Sequence, residues 1–457
     1  MVNGVSEGTK RAKFSAVDQA LILATLAALT SSEKSSLRKL LDREMNWSEF
    51  REKVFHNDVA SMVYLTLTRN GLFQQIPVAI QTEIQSRYET IRARNTARWH
   101  LGQELFTRLR GAGVEIIVLK GGLFAERVYG DVGYKKMNDI DLLVKFSDLE
   151  TLQKIYKEMG LVPLALLEGG GDPCEAKGYH LPAYVSRDLS FVLGTHWNLC
   201  NPKHGYLFDR DQLWKNARPV KFGTADVWSL SPTDVLHHLI VHFHYYKTGL
   251  KELADFANWL RIHPDFDWDA FMKEVEIAGS WTPAFRTLKL VKTLYGAGIP
   301  ESFLERCREK ADAWVARDTC RMAFRKDLLL LSRSVYNSEI EKGYLAFTFE
   351  HDFVRKWPWF LTFWKRLLFP PLAVLLRTNA CACCERNVLW LWVMNLFRTS
   401  KEVGKSYGMA IFFLLMLKSG AELLGSLFGM GPDKMASLRQ ELGADDQRIR
   451  ELLDSMD

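Results

Sequence analysis

Between Val114 and Val144 the chain runs VEIIVLKGGLFAERVYGDVGYKKMNDIDLLV, and this stretch limits the fold more tightly than any other. Val114 to Leu119 is short, β-branched and almost wholly apolar, which suits a strand buried on both faces. Lys120-Gly121-Gly122 ends it. Lacking Cβ atoms, two successive glycines let the backbone turn sharply and approach a ligand closely, and Leu123 to Tyr129 contains nothing that breaks a helix. The free N–H groups at such a helix start form an anion site. Tyr129 to Tyr134 reads as a loop. Asp139 to Val144 reads as a second strand, on which alternation sends Asp139 and Asp141 to one face and Ile140, Leu142 and Val144 into the core. Two carboxylates then face the glycine turn.

Mg²⁺ (or Mn²⁺) takes oxygen ligands, commonly one or two carboxylates plus substrate phosphates, so an Asp pair facing a phosphate cradle suits metal-assisted phosphoryl or nucleotidyl transfer. In its order and spacing, the Gly-Gly helix start followed by Asp-x-Asp on the next strand resembles the polymerase-β-like nucleotidyltransferase superfamily. More narrowly, the chain is similar to the largely uncharacterised bacterial nucleotidyltransferase family with LKG(G/A)…DIDLLV. The resemblance implies an α+β fold: a mixed-sheet nucleotidyltransferase core flanked by N-terminal and C-terminal helical regions. It also implies a nucleoside triphosphate donor, an unidentified acceptor, Mg²⁺ on Asp139 and Asp141, and a triphosphate cradled by Gly121 and Gly122 and neutralised by Lys120, Lys135 or Lys136. The family commonly has Arg near Lys135; lysine keeps the charge and loses the bidentate fork.

The chain has 457 residues, 47% hydrophobic and 25% charged, which fits about two to four globular domains. The expected division is a disordered tail at 1–14, a helical region at 15–110, the core at 111–225, a second helical region at 226–345 and an aromatic and basic helical extension at 346–457. A net charge of +6 over this length is too mild to signal nucleic acid. Seven cysteines form an odd, irregular set, which favours reduced thiols and a cytoplasmic setting. Ala20 to Leu29 is apolar, but Asp18 and Gln19 precede it and no small-residue cleavage motif follows, so it is read as a packed helix.

Apolar residues recur at three and four positions through Trp47–Leu67 and Ile80–Leu109, the pattern of amphipathic helices. Trp47 and His56 are read as packing residues there. Asp148 to Met159 suits another helix. Tyr179–Val185 and Leu189–Trp197 read as two strands joined at Ser186-Arg187-Asp188 that extend the catalytic sheet. In the resembled family these strands carry a His-Leu-Pro element and an acid-Leu-His-Trp element, which correspond to His180-Leu181-Pro182 and Gly194-Thr195-His196-Trp197. Gly194 thus stands where the family has an acid. His196 is the third catalytic candidate, for orienting a phosphate or an acceptor, and His180 an accessory one.

Ser231-Pro232 is a helix-start signal opening Val235–Tyr246. His238 and His242 share a face of that helix, and Asp255 follows on the next, so a His/His/Asp metal-dependent hydrolase is one alternative function. A catalytically degenerate nucleotide-binding or scaffold protein is the other. The resemblance matches His242 and Asp255 to accessory positions of the family's catalytic face. Beyond Pro300 the resemblance fades. Residues 355–371 combine large aromatics with Arg355, Lys356, Lys365 and Arg366, as helices lying on membrane surfaces do, so peripheral membrane contact is expected there without an integral span. Cys381-Ala382-Cys383-Cys384 fits no zinc spacing and is read as packed thiols.

Overall fold

The computed structural model describes residues 14–320, apart from 43–44, 165–178, 189, 201–205, 207, 247–248, 312–315 and 317–318, together with Val393. The expected tail, the aromatic and basic stretch at 355–371 and the Cys381–Cys384 motif lie outside the described residues. Among these residues the chain forms 13 α-helices and one seven-stranded mixed sheet, an α+β fold. No helix among them is long and apolar enough to cross a membrane.

Five helices come first: α1 (Ala16–Ala24), α2 (Ser31–Leu41), α3 (Trp47–His56), α4 (Ala60–Arg69) and α5 (Val78–Gly111). Ser15 and Thr30 open α1 and α2 with capping boxes completed by Asp18 and Glu33, so orphan N–H groups at each start are satisfied. The apolar run after Asp18 is a core helix in which Ala20 and Leu21 are fully buried. Asp18 is buried too, matched by Lys53 Nζ at 2.5 Å.

β1 (Ile116–Val118), α6 (Lys120–Arg127), β2 (Ile140–Val144) and α7 (Leu149–Glu158) follow, then β3 (Val162–Pro163), β4 (Tyr184–Val185) and β5 (Val192–His196). The sheet is completed beyond α8 (Arg210–Asn216) by β6 (Arg218–Phe222) and β7 (Ala225–Ser229), in the order β3-β4-β5-β2-β1-β7-β6. β7 pairs parallel with β1, so the sheet runs past the expected core boundary at 225. Alternation splits the central strands between two cores. Ile117 and Leu143 join the cluster shared with the flanking helices, whereas Ile116, Val118, Ile140, Leu142 and Val144 join the one beneath α7 and the end of α5.

The expected hairpin forms with shorter strands. Tyr184 pairs with Leu193 and Val185 with Val192, and the Asp188 carboxylate holds the turn through Ser186 and Ser190. Helices α9 (Pro232–Tyr246), α10 (Leu250–Arg261), α11 (Trp268–Ala278), α12 (Trp281–Tyr295) and α13 (Glu301–Lys310) pack with the N-terminal ones. Ser231 accepts the Asp234 N–H at 3.2 Å, the cap that the Ser-Pro signal implies.

Candidate active site

The site begins where β1 ends. Leu119 donates its N–H to the Asp141 carbonyl at 2.9 Å, which carries the β1–β2 pairing one step further and sets Lys120 beside Asp141. Lys120 itself makes the sharp reversal into α6, with a left-handed φ of 43°. This corrects the expectation for the glycines. Neither adopts a left-handed backbone, and both lie in the first turn of α6, which begins at Lys120 and not at Leu123. The need for glycine is steric at Gly122, where a Cβ would stand 3.0 Å from Val118 Cγ1 and 3.4 Å from Phe222. At Gly121 a Cβ would meet Met137 at an ordinary 3.5 Å. A non-glycine residue in the left-handed region stores strain of the kind that gathers at functional sites. No N-cap side chain bonds to the α6 start, which leaves the positive dipole end of the helix uncapped.

Asp141 is the centre of the arrangement. It is buried, with Lys120 Nζ at 2.8 Å from Oδ2 and His196 Nε2 at 3.1 Å from Oδ1. Burial alone would raise its pKa, but the Lys120 ammonium and the His196 ring hold the carboxyl well below the usual range. His196 is in place because β2 and β5 run parallel in a register that sets Asp141 opposite Gly194, so residues 194 and 196 share the Asp141 face. Gly194 lacks a side chain exactly where Asp141 needs room: an added Cβ would collide with Asp141 Oδ1.

The remaining candidates divide between this site and its surroundings. His180 joins through a bridge to His196, with ring centroids 5.5 Å apart, and its Nδ1 faces the Leu181 carbonyl at 2.7 Å. Burial lowers its pKa. Asp139 lies half-buried one residue before β2, close enough to Arg98 for its charge to act on the guanidinium. Arg98 is a residue that sequence reasoning missed. Its Nε donates to the Ser190 carbonyl at 3.0 Å, so α5 ties β5 to the approach of β2. Nothing local in the helical pattern marks such a contact.

Lys135 is engaged elsewhere. Its ammonium pairs with Asp255, which also accepts the Tyr129 hydroxyl. Burial pulls the lysine pKa down, and the Asp255, Glu252 and Asp58 charges with the Asp255 hydrogen bond together raise it above the ordinary value. Lys136 is half-buried in the same loop. His242 is half-buried one turn beyond the buried His238, with the two ring centroids 6.0 Å apart. Among the described residues no three His, Cys, Asp or Glu side chains are arranged to hold a metal ion, so the His238/His242/Asp255 set has no assembled site there. Asp131, another acid near the loop, is held by the Gly133 N–H at 2.7 Å and the Tyr88 hydroxyl at 3.2 Å. A cleft of about 590 Å³ lined by Arg110, Glu115, Lys221, Asp226 and Trp228 opens at the other end of β1 and does not include the Asp141 cluster.

A strand that ends in a lysine and a Gly-Gly helix start, packed beside Asp-x-Asp on its neighbour, is the core of a nucleotidyltransferase. A family model described as an uncharacterised nucleotidyltransferase matches residues 43–296, more than half of the chain, and the chain belongs to that family. No curated protein and no solved structure matches it.

Proposed function

We propose that this protein moves a nucleoside monophosphate from a nucleoside triphosphate to an acceptor, releasing pyrophosphate, at the site built around Asp141. The observation that carries the reading is the Lys120–Asp141–His196 cluster beside an uncapped helix start, in a member of a nucleotidyltransferase family. Asp139 and Asp141 are two hard oxygen donors two residues apart, one just before β2 and one on it, a donor set that fits Mg²⁺ or Mn²⁺ when triphosphate oxygens fill the remaining positions. Bound there, the ion would neutralise phosphate charge and acidify the attacking group.

The chain's own groups do the rest. Lys120 at present balances Asp141, and an arriving triphosphate competes for that ammonium. The first-turn N–H groups of α6 receive phosphate oxygens, with no side chain at Gly121 or Gly122 to cover them. His196 presents Nε2 to Asp141, which orients the ring and leaves Nδ1 to take the acceptor's proton as its new bond to the α-phosphorus forms and the bond to the bridging oxygen of pyrophosphate breaks.

The test is calorimetry of Mg²⁺ with each of four triphosphates on the wild type and on Asp139→Ala and Asp141→Ala, followed by transfer of label from the α-phosphate. Binding lost in both variants supports the reading, and equal affinity in wild type and the double variant overturns it. A second reading, a nucleotide-binding protein that no longer transfers, is favoured by Gly194, which leaves no third acid on β5. Tight Mg²⁺-dependent binding with no pyrophosphate release would select it.

A further inference from the structure

The two carboxylates of the site are anchored differently. Asp141 lies within β2, whereas the β2–β5 register begins at Ile140 and leaves Asp139 just outside the ladder. What holds the chain there comes from α5. Asn95 Oδ1 accepts the Met137 N–H at 3.3 Å, and three residues further along the helix Arg98 donates through Nη1 to the Met137 carbonyl. Both polar backbone groups of Met137, two residues before Asp139, are thus held by side chains of one helix. Arg98 Nε also donates to the Ser190 carbonyl at 3.0 Å. Met137 and Ser190 each stand three residues before the first registered pair, Ile140 and Leu193, so the guanidinium bridges the two chains just before their ladder starts. Met137 reaches α6 as well, its Cγ lying 3.5 Å from where a Gly121 Cβ would be.

Arg98 is 6% exposed, and its hydrogen bonds run to two neutral carbonyls. Burial first, then the Arg94 charge, lower its pKa against the pull of the Asp139 charge. Taking a guanidinium out of water is unfavourable, and a well-packed apolar side chain often serves stability as well or better. What an apolar side chain lacks is the planar fork that reaches two acceptors at a fixed separation. We propose that Arg98 is a positioning residue for the metal site: by holding the Met137 and Ser190 carbonyls it sets Asp139 against Asp141, so that both carboxylates reach one divalent cation. This rests on the nucleotidyl-transfer reading above. Asn95 shares the task, since its Nδ2 holds the Val132 and Lys135 carbonyls of the same loop at 2.6 and 2.8 Å.

The experiment uses the different demands of two ions. Mg²⁺ requires near-ideal octahedral geometry and Ca²⁺ accepts looser coordination, so a displaced Asp139 penalises Mg²⁺ more. Calorimetry measures both ions on the full chain with the α,β-methylene analogues of ATP, GTP, CTP and UTP, below the melting transition of each protein. The wild type is compared with Arg98→Met and with Arg98→Lys, which keeps the charge on a single nitrogen and loses the fork. Both variants should bind Mg²⁺ about tenfold more weakly and Ca²⁺ less than about threefold more weakly, with metal-free affinity for the analogue unchanged. A packing role alone lowers the melting temperature and leaves the ion preference as in the wild type. That outcome overturns the inference, as do unchanged Mg²⁺ binding, equal losses of both ions, or metal-free affinity that falls in step. Should Arg98→Met fail to fold, Arg98→Lys decides by itself. A wild type that binds none of the four analogues with either ion defeats the nucleotidyl-transfer reading itself, and the inference falls with it. A wild type that binds Mg²⁺ and variants that share its ion preference defeat the inference alone.

Discussion

Asp141 and Gly194 sit directly across the β2–β5 pair from one another, and a carboxylate oxygen of Asp141 fills the space in which a side chain on residue 194 would begin. The glycine is thus part of how the aspartate is held, since it allows the carboxylate to reach His196. What looks in sequence like a missing acid is, in three dimensions, room for one that is present.

Substitution at Gly194 follows from that room. Gly194→Ala should force the Asp141 carboxylate to rotate off His196, costing about 1–2 kcal/mol of stability. Gly194→Asp should cost more, because a second carboxylate adds like-charge repulsion and pushes the Asp141 pKa up. Both variants should bind Mg²⁺ and triphosphate more weakly than the wild type, read by denaturant melts and calorimetry. A gain in metal affinity with Gly194→Asp would mean that the two carboxylates can share the site.

Lys120→Met removes the cation and keeps the length. In the wild type the Asp141 pKa is held below its unfolded value, so the pair's stabilisation is present above about pH 4 and is lost as pH falls through the lowered pKa. Without the ammonium, burial raises that pKa, and the slope reverses: stability should then fall as pH rises through the shifted value. At pH 8 the loss should reach about 3 kcal/mol, and it should shrink towards pH 5. Parallel melts of both proteins at the two pH values decide the matter, since a pH-independent difference would show that Asp141 keeps its charge unaided.

The two glycines of the α6 start should respond oppositely. Gly122→Ala presses its methyl against Val118 and Phe222, which should move α6 off β1, cost about 1–2 kcal/mol and weaken triphosphate binding. Gly121→Ala meets only Met137 at ordinary contact and gains helix propensity, so its melting temperature should stay level or rise. Equal losses in the two variants would place the steric limit elsewhere.

The local part of this architecture was legible in the sequence. Period-two and period-3.6 apolar patterns, the Ser231-Pro232 cap and the turn at Ser186–Asp188 depend on neighbours a few residues apart, and each reappears in the structure. Placing Gly194 level with Asp141 needed only two strands in register. The reversal at Lys120 was not legible, because glycine is the usual carrier of a left-handed backbone and two glycines stood next to it. Nor were the partners of Lys135 and Asp139: Asp255 and Arg98 are charges on helices distant in sequence, and no periodicity records which charge will meet which.

The 34-residue α5 carries a consequence for how this family can vary. Along it Tyr88 donates to Asp131, Asn95 to the Val132 and Lys135 carbonyls and Arg98 to the Ser190 carbonyl, and Trp99 stacks on Phe222. Gly102 lets the same helix lie against Ile140, where a Cβ would come within 3.0 Å. These contacts are phased by one helical repeat, so a single inserted residue between Tyr88 and Gly102 would turn everything beyond it by about 100° and unseat the loop, the hairpin and the sheet together. Relatives should therefore change length in the connections at either end of α5, while the helix between Tyr88 and Gly102 keeps its residue count.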